Sequence, residues 1–208
     1  MVPALPLNFI KRDGSPDLIY LSGVSQKDLF VKYLGWNKKD IRIIDSIRIK
    51  KKMTKFQFNS IFFAIYLKQI SKILTVIENF FKSQKKNSLP PINIKKHPSM
   101  LQSNEQLILE KKIKELILNY KDKFNKRSKI NYSFHVGPTS ALIQYLENEK
   151  KAIHFTTLPE LDLYTNKLWK KIIPIKLNSC SFSYKITEKR KILKLSNSSF
   201  NILKTNIL

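Results

Sequence analysis

Residues 132–155, with the sequence YSFHVGPTSALIQYLENEKKAIHF, decide the fold of this chain. Tyr132 to Val136 fits a short apolar strand, which Gly137-Pro138 interrupts. Thr139 to Glu149 fits a helix, because apolar residues recur there three and four positions apart. Ala152 to Phe155 fits a second strand. A strand, a helix and a strand in this order are typical of one unit of a parallel sheet.

The same alternation extends toward the N-terminus. We predict strands at residues 18–21, 41–44, 61–66 and 92–95, helices at 26–33 and 67–81, and a further helix capped by Ser103. The strand at 61–66 has no polar face, as expected for a strand covered by helices on both sides. The sequence therefore predicts an α/β fold, a Rossmann-like, doubly wound parallel sheet.

The chain of 208 residues is long enough for one substantial domain, since a domain takes roughly 150 residues. We predict an N-terminal extension at residues 1–15, the Rossmann-like domain at 16–177 and a basic tail at 178–208. The tail is rich in Lys, Ser and Asn. We expect it either to pack back on the domain or to fray.

The charge is strongly positive, with 39 Lys and Arg against 15 Asp and Glu, which gives +24. Lysines are spread over the whole chain. One interpretation is a solvated surface whose lysines result from the amino-acid composition alone. The other is a surface that attracts nucleic acid, nucleotide phosphates or an anionic membrane. Arginine, which nucleic-acid readers commonly use for guanine and phosphate, is scarce. Nucleic-acid binding is therefore kept as the alternative function.

Cysteine and histidine usage indicates neither a disulfide nor a metal site. Cys180 has no second cysteine to pair with, which is typical of a reducing compartment. His97, His135 and His154 do not form a metal-ligand pattern, and we interpret the last two as core or rim histidines on apolar strands. The N-terminus lacks the features of a signal peptide. We expect a cytoplasmic protein without a metal cofactor.

The first candidate binding segment, Lys95-Lys96-His97-Pro98, follows a predicted strand. Ligands of open α/β sheets bind at the carboxyl ends of strands. Lys96 and His97 could therefore meet a phosphate with a charge and a hydrogen-bond donor. The alternative is that both are loop residues in a lysine-rich region.

The second candidate segment, Gly137-Pro138-Thr139-Ser140, joins a predicted strand to a predicted helix. Gly137 allows a close backbone approach, and Pro138 suits the first turn of a helix. The N–H groups and dipole at a helix N-terminus favour an anion, and Thr139 and Ser140 add hydroxyls. The alternative is ordinary helix capping.

Glu147 lies eight residues after Thr139, about 80° round the same predicted helix. A carboxylate on that face could bind ribose hydroxyls. Alternatively, Glu147 pairs with Lys150 or Lys151.

Three segments together, Asn93 to Pro98, Val136 to Glu147 and Ile153 to Phe155, resemble the C-terminal half of GT-B-type glycosyltransferases. The likeness is greatest to enzymes of bacterial surface-carbohydrate biosynthesis, and the His-Pro and Ser/Thr motifs also occur in bacterial sialyltransferases and polysialyltransferases. The resemblance covers roughly residues 15–176.

The resemblance implies a domain that binds a nucleotide-sugar donor. His97, Lys96, Gly137, Thr139 and Ser140 would hold the donor phosphate.

Glu147 would reach the ribose. The acceptor would be a glycan or a lipid-linked glycan, held by a separate N-terminal acceptor-domain chain, and the protein would lie at the inner membrane face. A non-catalytic remnant or scaffold is the further alternative.

Overall fold

The computed structural model describes residues 16–50, 58–63, 69–95, 104–137, 139–158, 163–165, 169, 171–188 and 195–196. Its helices are α1 (Val24–Tyr33), α2 (Ile70–Ser83), α3 (Asn104–Asn119) and α4 (Ser140–Glu147). Its strands are β1 (Ile19–Leu21), β2 (Ile41–Ile43), β3 (Ser46–Lys50), β4 (Ser60–Phe63), β5 (Asn93–Lys95), β6 (Ser133–Val136), β7 (Ala152–Phe155), β8 (Ile172–Lys176), β9 (Ser181–Ile186) and β10 (Leu195–Ser196).

The predicted α/β class is confirmed, and the fold is compatible with a Rossmann-like fold. The largest sheet has the order β5-β4-β6-β7-β9-β8. Strands β5, β4, β6 and β7 pair in parallel, and β9 pairs with β7 in antiparallel orientation. The sheet is thus mostly parallel, as the apolar character of β4 predicted.

The chain divides into two compact units. One comprises Met1–Phe56, Thr165–Ile173 and Ile186–Leu208, and the other comprises Gln57–Tyr164 and Pro174–Lys185. The sequence-based boundaries, with residues 16–177 in one domain, stay a prediction. The stretch expected to form a tail supplies β9 and β10.

The first unit contains a small βαβ element. Strands β1 and β2 pair in parallel, with α1 between them in sequence. Gly35 lies just after the end of α1 with φ at 74°, and the Trp36 N–H donates to the Phe30 carbonyl. Among the described residues of this unit, one buried apolar cluster is formed by Leu21, Phe30, Trp36 and Ile41.

The second unit has its main core between α2 and one face of the large sheet. The sheet contributes alternate residues of three strands: Ile61, Phe63, Phe134, Val136, Ile153 and Phe155. The Phe80 ring of α2 lies 5.2 Å from the Phe155 ring and 6.5 Å from the Phe134 ring, between centroids. Residues of α3 join the same core, namely Leu109 and Ile113. This packing follows from the helical apolar spacing.

Helix α4 packs on the opposite face of that sheet. The Tyr145 ring of α4 lies 5.5 Å from Phe62 and 5.3 Å from His135, between ring centroids. Phe62 alternates with Ile61 and therefore points to the other side of β4. The sheet of this unit thus carries helices on both faces.

The connection order creates a switch point between β4 and β6. After β4 the chain continues to β5 on one side, then to β6 on the other side of β4. In open α/β sheets the crevice outside the carboxyl ends at such a point is the usual ligand site. Among the described residues, β6 reaches this edge at Val136 and leads directly into Gly137.

No helix in the described part of the chain combines the length and the apolar character that a membrane span requires.

Candidate functional site

The candidate site begins where β6 ends. Gly137 is buried and has a φ of 69°, in the left-handed region. Its N–H donates to the Phe155 carbonyl at 2.9 Å, and its carbonyl accepts the Thr139 N–H at 2.8 Å. A residue with a Cβ pays roughly 1–2 kcal/mol in this conformation. Glycine therefore lets the chain turn sharply from the strand toward α4, and we call Gly137 and Thr139 the Gly137 turn.

Thr139 caps α4. Its backbone is extended, and its Oγ1 accepts the Ala141 N–H at 3.3 Å. Its carbonyl accepts the Leu142 N–H at 3.1 Å. Ser140 is the first residue of the helix. The capping interpretation of Thr139 is therefore confirmed. The N-terminus of α4, which is the positive end of the helix dipole, lies at the carboxyl end of β6.

His154 contacts the Gly137 turn from β7, the strand that pairs with β6. It is 0% exposed, and its Nε2 lies 2.8 Å from the Gly137 carbonyl oxygen. Its Nδ1 lies 2.6 Å from the hydroxyl of Tyr184 on β9. The interpretation of His154 as a core or rim histidine agrees with this burial.

Tyr164 adds a second contact to the turn. Its hydroxyl donates to the Thr139 carbonyl at 3.3 Å. Its ring lies 6.0 Å from the His154 ring and 6.2 Å from the Tyr184 ring, between centroids. Neither Tyr164 nor Tyr184 was expected at this site from the sequence. Each is more than 20 residues from the turn in sequence, and no local pattern indicates the contact.

His135 faces α4 from β6, directly opposite His154. It is 0% exposed, its Nε2 lies 2.9 Å from the Ser133 Oγ, and its ring stacks on Phe62. Burial lowers the pKa of His135 well below the usual value, with a further decrease from His154. His135 is therefore a neutral core residue.

Glu147 is the last residue of α4 and is 2% exposed. Eight residues of helix separate it from Thr139, which is about 12 Å along the axis. The carboxylate therefore lies at the far end of the helix from the Gly137 turn. The structure brings Gly137, Thr139 and Ser140 together and does not bring Glu147 to them. Binding of a ribose by Glu147 stays a prediction.

Lys96 and His97 lie outside the described residues. The residue before them, Lys95, ends β5 and is in register with Phe62 of β4. Because β5, β4 and β6 run parallel, Lys95 lies at the same edge of the sheet as the Gly137 turn. The role of Lys96 and His97 in binding a phosphate likewise stays a prediction.

Within the described ranges, no three His, Cys, Asp or Glu side chains come together as a group that could hold a metal ion. Comparison with family models, with curated proteins and with solved structures gave no match for this chain.

Proposed function

We propose that this chain binds the phosphate of a nucleotide sugar at the Gly137 turn, as the donor-binding part of a glycosyltransferase-like protein of surface-polysaccharide synthesis. The observation that supports the proposal is the position of the turn. A left-handed glycine leads directly into a capped helix N-terminus at the carboxyl end of β6, beside the switch point of a mostly parallel sheet.

The electrostatics of this edge suit an anion. The N-terminus of a helix carries a positive end equivalent to roughly half a charge, and it stabilises an anion by about 0.3–1 kcal/mol when exposed. The segment from Gly137 to Leu146 contains no Asp or Glu that would oppose an anion. The excess of lysine over the whole chain raises the local concentration of anionic ligands.

The proposed chemistry is departure of a nucleotide phosphate from the sugar. The bond between the anomeric carbon and the phosphate oxygen breaks, and negative charge grows on that oxygen. N–H and hydroxyl donors aimed at this charge lower the barrier. In this proposal Thr139, Ser140 and the start of α4 supply such donors, and Lys96 and His97 add a charge and a further donor from the end of β5.

The acceptor in this proposal is a glycan or lipid-linked glycan held by a separate acceptor-domain chain. The nucleophile is the oxygen of an acceptor hydroxyl, which attacks the anomeric carbon as the phosphate leaves and releases its proton to solvent or to the departing phosphate. The proposal places the protein in the cytoplasm at the inner membrane face, where lysines attract anionic lipids. Glu147 is not part of the proposed phosphate site, because its burial and axial distance separate it from the turn.

Isothermal titration with CMP, UDP and GDP tests the proposal. We expect one nucleotide to bind, and Thr139→Ala to weaken that binding because it removes the capping oxygen. Thr139→Ser is the matched control, since it keeps a hydroxyl at the same position. Absence of binding to all three nucleotides, in a chain shown to be folded by circular dichroism, would overturn the proposal.

A further inference from the structure

We infer that His154, supported by Tyr184, is a positioning residue that fixes the orientation of the Gly137 turn. His154 comes from β7 and Tyr184 from β9, while the turn follows β6. Hydrogen bonds therefore link Tyr184 to His154, and His154 to the carbonyl of Gly137. The consequence for ligand binding rests on the proposed function, whereas the consequence for the turn does not.

Hydrogen-bond chemistry assigns the tautomer of His154. A carbonyl oxygen only accepts, so the Nε2 that lies 2.8 Å from the Gly137 oxygen carries the proton. In the neutral ring Nδ1 is then an acceptor. The Tyr184 hydroxyl, 2.6 Å away, donates to it. Tyr184 thus selects the tautomer that lets His154 hold the carbonyl.

The carbonyls of the turn are both held by side chains. The Gly137 oxygen accepts from the Thr139 N–H and from His154, and the Thr139 oxygen accepts from Leu142 and from Tyr164. The negative ends of these two peptide dipoles therefore point at protein donors. An anion at the start of α4 would otherwise be repelled by any carbonyl that rotated toward it.

His135 provides a contrast within the same sheet. It is as buried as His154 and in direct register with it, but it bonds to Ser133 of its own strand. Its Nδ1 has no hydrogen-bond partner among the residues that the structure describes. Replacement of His135 therefore disturbs a buried histidine on the same face of the sheet without removing a bond to the turn.

The test compares His154→Phe, which keeps an aromatic ring but no donor, with His154→Gln, whose amide can still donate to the Gly137 carbonyl. His135→Phe is the matched control. In His154→Phe we expect faster amide hydrogen exchange at Ala141 and Leu142, whose N–H groups bond to Thr139. We also expect affinity for whichever of CMP, UDP or GDP the wild-type chain binds to fall about tenfold. His154→Gln should restore both within about threefold, and His135→Phe should change neither.

A second measurement needs no variant of His154. In the wild-type chain, ring ¹⁵N shifts should report His154 protonated at Nε2 and unprotonated at Nδ1, and Tyr184→Phe should move the Nδ1 shift. An Nδ1-protonated ring, or unchanged exchange at both amides in a folded His154→Phe, would overturn the inference. Failure of the wild-type chain to bind any nucleotide would instead overturn the proposed function, because exchange and ring shifts are measured without ligand.

Discussion

His135 and His154 lie directly opposite each other on the parallel strands β6 and β7, but only His154 bonds to the Gly137 turn. Both rings are fully buried on the α4 side of the sheet. The difference lies in their partners: His135 bonds to a serine of its own strand, and His154 bridges β9 and the turn. One histidine therefore belongs to the core, and the other connects the core to the candidate site.

The burial of His135 predicts how the free energy of unfolding depends on pH. Its pKa is lowered well below 6.5 in the folded chain, so the unfolded chain binds more protons as the pH falls below about 6.5. The free energy of unfolding should therefore decrease below this pH, by up to about 1.4 kcal/mol per pH unit from this group. Urea denaturation at pH 7.5 and 5.5 measures the decrease. His135→Phe should lose less stability over this interval than the wild-type chain, and an equal loss would contradict the assignment.

Gly137→Ala gives a prediction for the turn. The left-handed φ of 69° should make this variant less stable by about 1 kcal/mol, measured by denaturant titration. Gly35→Ala is a matched control, because Gly35 has a φ of 74° at the end of α1 and belongs to the other unit. Both variants should lose similar stability, and only Gly137→Ala should weaken nucleotide binding. Equal affinity in the two variants would remove the turn from the binding site.

Phe80→Ala gives a prediction for the core that supports the sheet. The Phe80 ring is buried against Phe134 and Phe155, and removal of such a side chain costs about 3–5 kcal/mol. The second unit should therefore unfold at a clearly lower urea concentration. Leu118→Ala is the comparison, since Leu118 is 68% exposed on α3 and should change stability by less than about 0.5 kcal/mol. A similar shift in both variants would contradict the burial of Phe80 between α2 and the sheet.

Salt dependence separates the two functional alternatives. A nucleotide held at one helix N-terminus exchanges few counterions, so its affinity should change less than about tenfold between about 50 and 200 mM salt. Nucleic acid bound through many lysines would lose about a thousandfold over the same range. Fluorescence anisotropy with labelled CMP, UDP or GDP and with labelled single-stranded RNA measures both. Tight, steeply salt-dependent RNA binding without nucleotide binding would favour the nucleic-acid alternative.

The periodicity of the sequence predicted the elements that carry the candidate site. Strand β7 has the predicted bounds, and α4 begins at Ser140, one residue after the predicted start at Thr139, because apolar spacing and the Gly137 break are local signals. Strand β9 was not predicted, although Ser181 to Ile186 alternates polar and apolar residues, because the surrounding stretch is rich in lysine and serine. Without β9, the partner of His154 could not be found.

For Glu147, the sequence predicted the position round the helix but not the end of the sheet that the residue reaches. Its angular position on α4 was predicted from the 100° rotation per residue, but the rise along the axis separates it from Thr139 by about 12 Å. The angle decides which face a residue shares, and the rise decides which end of the sheet it reaches. In the structure, α4 begins next to Thr139 at the carboxyl edge of the sheet. The rise along the helix axis therefore carries Glu147 away from that edge.

Mapping of amide chemical shifts in the ¹⁵N-labelled chain tests the central claim most directly. Addition of the nucleotide that binds should shift the amides of Gly137, Thr139, Ser140 and Ala141, at the carboxyl end of β6 and the start of α4. Thr139→Ala should reduce these shifts. Shifts that are absent from this segment and confined to the exposed lysines of α3, namely Lys111, Lys112 and Lys114, would contradict the account.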